Sequence, residues 1–262
     1  MVDSMSTDAG ANRKLLAIFA HPDDELFISP VLHRYAQEGV DCHLAIVTDG
    51  RFGIQPHMNG LAGDELAEYR SRELDDAARE LGIHPPVQLN YVDGYAHKTP
   101  DLKNALADLS AIYNDILRLI QDLQPDVLIT FGPDGVYGHP DHMAVGNVVT
   151  MVYQTLGTEC GTRLYHTGLC IQDFPMLFEE DSEFADRNRF GLDERHLPVK
   201  VAFSTEDAEA AHRSLSCHQS QFTQTRIDQL CRVFHQHGYI RFRAWDGSHG
   251  SEACLFAGNA DD

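Results

Sequence analysis

The sequence predicts an α/β fold, with a mostly parallel sheet, helices on both of its faces and a less regular C-terminal part. Short apolar runs of strand length recur through the first half of the chain, each bounded by polar residues or by Gly and Pro. Stretches with helical spacing lie between them. This alternation of strand and helix specifies βαβ crossovers, whose functional site belongs at the carboxyl ends of the strands.

The first strand spans Leu15 to Phe19 and is followed by a helix over roughly Leu26 to Gln37. Cys42 to Thr48 reads as the second strand, and Asp64 to Leu81 as a helix that Gly82 terminates. Val87 to Tyr91 is a third buried strand; Leu102 to Leu123 is a helix stopped by Pro125; Val127 to Phe131 is a fourth strand. A helix from Met143 to about Leu156 comes next, then strands near Arg163 to Leu169 and Val199 to Phe203, and a helix over Glu206 to Ser216. The acid- and arginine-rich segment from Gln172 to Leu197 reads as an excursion that forms a lid or a substrate wall. The tail after Phe222 carries no clear signal. A single domain is expected over residues 1–262, with residues 1–13 as a frayed tail and a core over 14–222.

Composition narrows the function. With 262 residues, 43% of them hydrophobic, the chain can bury a substantial core. Forty acids against 20 bases give a formal charge of −20, and only four of the bases are lysines. Such a surface repels phosphates, which argues against nucleic-acid binding and against adhesion to anionic membranes. No run is apolar for long enough to cross a bilayer, and the N-terminus lacks the apolar middle of a signal peptide, so a cytoplasmic location is expected. The six cysteines are scattered without a C-x-x-C pair, as expected for reduced thiols.

Two segments carry the chemistry. The first strand ends in "HPDDE", His21 to Glu25, and the fourth is followed by "GHPDH", Gly138 to His142. In the first motif, His21 is expected at a helix N-cap, Pro22 at the first helical position, and the acids in the first turn, where the helix dipole favours them. A histidine gains nothing there when protonated, so His142 is better off neutral, the form that binds metal. Two strand ends that deliver such residues to one sheet edge supply an open metal site. The expected ligands are His21, Asp24 and His142, with water in a further position. Asp23 points away from its ligand neighbour and is the expected general base. His139 and Tyr137 remain as donors to an oxyanion or leaving group, and Asp141 as a residue that orients His139 or a ligand histidine. Neither H-E-x-x-H nor G-x-S-x-G occurs.

"AHPDDE" (Ala20 to Glu25) together with "GPDGVYGHPDH" (Gly132 to His142) resembles the LmbE-like, or PIG-L, family of metal-dependent deacetylases. Weaker matches are "TDG" at Thr48 to Gly50, "YRSREL" at Tyr69 to Leu74 and "HQSQ" at His218 to Gln221. The resemblance implies a Rossmann-like sheet and hydrolysis of an N-acetyl amide on an amino sugar of GlcNAc type by zinc-bound water. It also implies His139 as a protonated partner of the transition state, Tyr137 as the group that polarises the amide carbonyl, Arg70 as a substrate-holding arginine and Asp93 as a sugar-hydroxyl contact. On residue chemistry alone, Arg70 can also be read as a helix-surface charge paired with Glu73 or another nearby acid, Asp93 as the start of a turn before Gly94, and His218 as a helix-end histidine contacting the core, which leaves it outside the catalytic set. Zinc suits two histidines and an aspartate, and Fe²⁺ or Co²⁺ fits the same ligands. The expected partner is a small N-acetylated sugar or conjugate; a homo-oligomer is compatible with the sequence. Two readings stand beside the deacetylase: an amidase of the same family acting on an acylated cysteine conjugate or acyl-glycopeptide, and a metal-stabilised sugar-binding module.

Overall fold

The computed structural model describes residues 13–53, 60–93, 109–157, 161–173, 191–246 and 254–256. Its centre is a seven-stranded sheet in the order β3-β2-β1-β4-β5-β7-β6. The strands are β1 (Lys14–Phe19), β2 (Asp41–Thr48), β3 (Val87–Tyr91), β4 (Val127–Phe131), β5 (Arg163–Thr167), β6 (Val199–Ala202) and β7 (Tyr239–Ala244). Pairing from β3 through β5 is parallel, while β7 runs antiparallel to both β5 and β6. The first three strands step outward to one side of β1, and the chain then returns to pair β4 with its other side. That reversal leaves a crevice beyond the carboxyl ends of β1 and β4, where α/β sheets bind ligands.

The central strands are apolar because both of their faces are covered: every residue of β4 and all but the first of β1 are buried. Helix α1 (Ser29–Gln37) links β1 to β2, α2 (Asp64–Glu80) links β2 to β3, α3 (Leu109–Leu123) precedes β4, and α4 (Pro140–Leu156) connects β4 to β5. After β6 come α5 (Thr205–Cys217) and α6 (Gln224–His237). Helix α5 packs on α1, α2 and α6, whereas α4 packs on α3, β1 and β4. Gly146 permits the latter, since a Cβ there would collide with the carbonyl of Phe131 at the end of β4. The start of α4 is thereby held against the crevice.

Several expectations are corrected. The helix after β1 does not start at Leu26: a 3₁₀ turn, Asp24–Phe27, comes first and α1 begins at Ser29. Strand β3 is an edge strand and only half-buried, with Val87 at 38% exposure. The described part of the tail after Phe222 forms α6 and β7. Its "YIRFRA" alternates as an antiparallel strand does, and it places Phe242 and Ala244 in the core. The start of the helix expected from Leu102, and most of the excursion from Gln172 to Leu197, lie outside the described residues. The five described cysteines are all free.

Helix α5 is anchored at its start by a capping box: Ser204 Oγ accepts from the Asp207 N–H, and Asp207 Oδ2 accepts from the Ser204 N–H at 2.7 Å. The other carboxylate oxygen lies 2.6 Å from His33 Nδ1 on α1. Burial opposes ionisation of Asp207, but the contacts with Ser204 and His33 outweigh it and hold the carboxyl below its ordinary pKa. A carboxyl depressed on folding contributes stability above its unfolded pKa and loses it as pH falls through the folded value. Asp207→Ala should therefore cost about 1–2 kcal/mol at pH 7, and the gap to wild type should narrow in acid. Denaturant melts across pH 3 to 7 check this.

Candidate active site

The two motifs enclose one cluster, although their backbones differ. The second follows expectation: His139 is the N-cap of α4, its Nδ1 accepts from the Asp141 N–H at 3.3 Å, and Pro140 takes the first helical position. The first does not. Asp23, at φ 118° and ψ −15°, lies in the left-handed region, and Asp24 rather than Pro22 opens the 3₁₀ turn. The cause is Asp24, whose Oδ2 accepts from the backbone N–H groups of Ala20 (3.1 Å) and His21 (2.7 Å) and curls the chain back onto the strand end.

The other oxygen of Asp24 stands 3.1 Å from His142 Nε2, and its Oδ2 is 3.3 Å from His21 Nδ1. The close approach to His142 lacks hydrogen-bond geometry. His142 is fully buried with neither ring nitrogen hydrogen-bonded, an arrangement that costs about 1–3 kcal/mol per orphaned group unless something else satisfies it. Its ring is fixed by stacking on Phe131 at 4.1 Å and on His139 at 4.5 Å. Donor atoms of His21, His139 and His142 fall within 4.8 Å of one another, as do those of His21, Asp93 and Asp141. These spacings and the orphaned imidazole fit a bound metal ion, and Asp24 reaches two of the three histidines.

Asp141 acts on His21 rather than on His139: its Oδ2 lies 3.1 Å from His21 Nε2. That contact, with a longer one of 3.6 Å to Asp93 Oδ1, assigns the ring proton to Nε2 and leaves Nδ1 facing Asp24. Asp93 is buried, with Oδ2 accepting from the Phe52 N–H. Burial alone would raise its pKa, but the His21 contact prevails and holds it at about 2.

Asp23 sits beside this cluster. Its Oδ2 is 3.1 Å from Arg70 Nη2, and its backbone N–H donates to Glu25. Burial pushes its pKa up to about 7, with Arg70 pulling the other way. Arg70 is itself buried and donates to the carbonyls of Gly50 and Pro22. Gly50, at φ +65°, has no side chain to displace it. Arg70 is thus a buried charge paired with Asp23 and not a surface charge paired with Glu73.

Tyr137 comes from a kinked turn, Gly135–Gly138, in which Val136 adopts φ 69°. A β-branched residue is strained there by about 1–3 kcal/mol. Full burial of Val136 and a cap from Asp134 Oδ2 to its N–H hold the turn. Burial and the nearby Asp24 and Asp23 raise the Tyr137 pKa well above its ordinary value, so the phenol keeps its proton and can donate it. His139 departs from the protonated form that the resemblance implies. Burial, His21 and His142 lower its pKa to about 2, and its Nδ1 already accepts a hydrogen bond. The neutral ring carries its proton on Nε2.

Three residues left outside the expected site support the first motif. Glu25, buried at 1% exposure, bridges the Asp23 N–H and His218 Nε2, the latter at 2.5 Å. His218 is fully buried at the end of α5; burial lowers its pKa, but Glu25 reverses this and raises it. Glu73 on α2 holds Ser220 at both its N–H (2.7 Å) and its hydroxyl (2.6 Å). The "HQSQ" segment was the available signal, since it clamps α2 and α5 around the first motif.

The model of the PIG-L, GlcNAc-PI de-N-acetylase family matches residues 16–153, a span that contains every residue of both motifs. The chain belongs to this family. Among its relatives is the 1D-myo-inositol 2-acetamido-2-deoxy-alpha-D-glucopyranoside deacetylase of Rhodococcus opacus, 35% identical over an alignment of 163 residues that covers 57% of this chain and 56% of that protein. The chain thus spans little more than half the length of that relative. Among solved structures, N,N'-diacetylchitobiose deacetylase from Pyrococcus horikoshii superposes with a TM-score of 0.61 at 21% identity, covering 90% of this chain and 84% of that one. The 4-carboxy-2-hydroxymuconate hydratase GalB from Pseudomonas putida gives 0.65 at 13% identity, covering 89% and 96%. The PIG-L fold therefore carries more than one chemistry, and the site residues must decide between them.

Asp141→Ala should weaken divalent metal binding by about 10- to 100-fold, because it frees the His21 ring, and His142→Ala should weaken it further. Calorimetric titration of metal into the chelated protein measures both.

Proposed function

We propose that the chain is a metal-dependent N-deacetylase that removes the acetyl group from an amino sugar of GlcNAc type or its conjugate. One observation carries this reading: a buried imidazole with no hydrogen bond, His142, converges with Asp24 and His21 beside a carboxyl poised near neutral pH. His21, Asp24 and His142 would hold the ion. Zinc suits this donor set, and Fe²⁺ or Co²⁺ would fit it. A divalent ion bound there supplies Lewis acidity and lowers the pKa of its water toward about 7.

Asp23, as carboxylate, accepts the proton of the attacking water. The water oxygen adds to the amide carbon, and the Tyr137 hydroxyl donates to the oxyanion that develops. The C–N bond then breaks as the nitrogen takes up the proton that Asp23 accepted from the water. Acetate and the free amine are the products. Glu25 and His218 keep Asp23 in its left-handed corner, and Arg70 fixes its carboxylate.

Asp23→Asn should lower kcat by about 10²-fold or more while leaving bound metal in place, as acetate release and elemental analysis would show; full activity in that variant overturns the role. Since the carboxylate is the active form, kcat/KM should rise with pH through an acid limb set by Asp23, which a bound divalent ion would pull below the value of about 7 that burial gives it. Arg70→Met removes the charge that lowers the Asp23 pKa and should move that limb to higher pH, whereas Arg70→Lys should largely keep it in place.

A further inference from the structure

Tyr137 stands on strained backbone, and the groups that steady it lead away from the catalytic cluster to β7. Val136, at φ 69° and ψ −60°, has the geometry of a γ-turn with positive φ, the rare and strained form. Asp134 grips this turn on both sides of Tyr137. Its Oδ2 accepts from the Val136 N–H at 3.0 Å, and its backbone carbonyl accepts from the Gly138 N–H at 3.0 Å. The other carboxylate oxygen is buried without a hydrogen bond, and burial raises the Asp134 pKa. Arg243 on β7 is the cation that opposes this. Both groups lie over Gly132 at the end of β4, where a Cβ would stand 2.5 Å from Asp134 Oδ1 and 3.4 Å from Arg243 Nη2.

Arg243 is itself fixed. It is the direct cross-strand partner of His166 on β5, so the two side chains share one face of the sheet, and its Nη2 donates to His166 Nδ1 at 3.2 Å. His166 Nε2 donates in turn to Thr150 Oγ1 on α4 at 3.0 Å, because the Thr150 hydroxyl gives its own proton to the Gly146 carbonyl. Burial and Arg243 lower the His166 pKa to about 4, so the ring stays neutral and Nδ1 keeps the lone pair that receives Arg243. Both His166 and Arg243 lie beyond residue 153, at which the family match ends. Resting on the deacetylase reading, we propose that Arg243 is a positioning residue for the reaction: through Asp134 it holds the turn that aims the Tyr137 hydroxyl at the developing oxyanion. A carboxylate accepts from the Val136 N–H more strongly than a neutral acid does, so the nearby guanidinium keeps the turn closed.

Arg243→Met and Asp134→Ala should each lower kcat by about 10- to 100-fold through misplacement of the donor, with KM within about twofold and metal content unchanged. Arg243→Lys should restore most of the loss. Tyr137→Phe removes the donor itself, and in that background Arg243→Met should change kcat by less than about twofold, because residues that act through one group are not additive. A loss of equal size with and without the Tyr137 hydroxyl, or wild-type kcat in Arg243→Met, overturns the proposal. Fluorotyrosine at position 137 reads the turn without turnover: its fluorine NMR line should shift or split in Arg243→Met and return in Arg243→Lys. A line unmoved in Arg243→Met, in a protein that releases acetate, overturns the positioning role and leaves the deacetylase standing. A line that moves as expected, in a protein that releases no acetate from any N-acetyl amino sugar, supports the hold on Tyr137 and overturns the deacetylase.

Discussion

One carboxylate holds the site together. Asp24 turns one oxygen back to the N–H groups at the end of β1 and extends the other toward His142 on the helix after β4. The sheet makes this reach short, because β1 and β4 are hydrogen-bonded neighbours with Leu15 in register with Val127. Residues more than a hundred positions apart therefore meet at the one place where the strand order reverses. The left-handed corner at Asp23 follows from the same fold-back, since the chain can satisfy Asp24 only by turning sharply just before it.

Around that contact the protein buries several acids where burial by itself is unfavourable. Asp24, Asp93 and Asp141 all face His21, and Glu25 faces His218. Asp23 differs because its strongest partner is Arg70, and that is insufficient to bring its pKa down to an ordinary value. The environment thus separates neighbouring carboxyls: Asp24 is held well below the usual range by the histidines, while Asp23 is held near neutrality. Two adjacent aspartates with divergent protonation suit one to hold charge and the other to move a proton.

Much of this was legible in the chain. The apolar runs located β1, β2 and β4 because central parallel strands are buried on both faces and read as continuous hydrophobic stretches. The two His-Pro-Asp motifs stood at the ends of the right strands. The similarity between them was misleading at the backbone, since "HPDDE" forms a left-handed corner and "HPDH" a helix start. Nothing local distinguishes these two outcomes. The clasp of Glu25 on His218 was equally hidden, because a histidine at the end of a helix looks alike whether it rests on the core or holds an acid 193 positions away.

The sequence by itself determined the fold class, the strand ends that bear the chemistry and the residue types gathered there, because periodicity and turn residues act over a few positions. Tertiary structure alone decided the direction each group faces. Arg70 turns inward to Asp23, Asp93 and Asp141 turn to His21, burial keeps His139 neutral, and residues of α6 and β7 wall the pocket beside Asp23. Such choices depend on burial and on partners brought from distant segments, and a one-dimensional pattern carries neither.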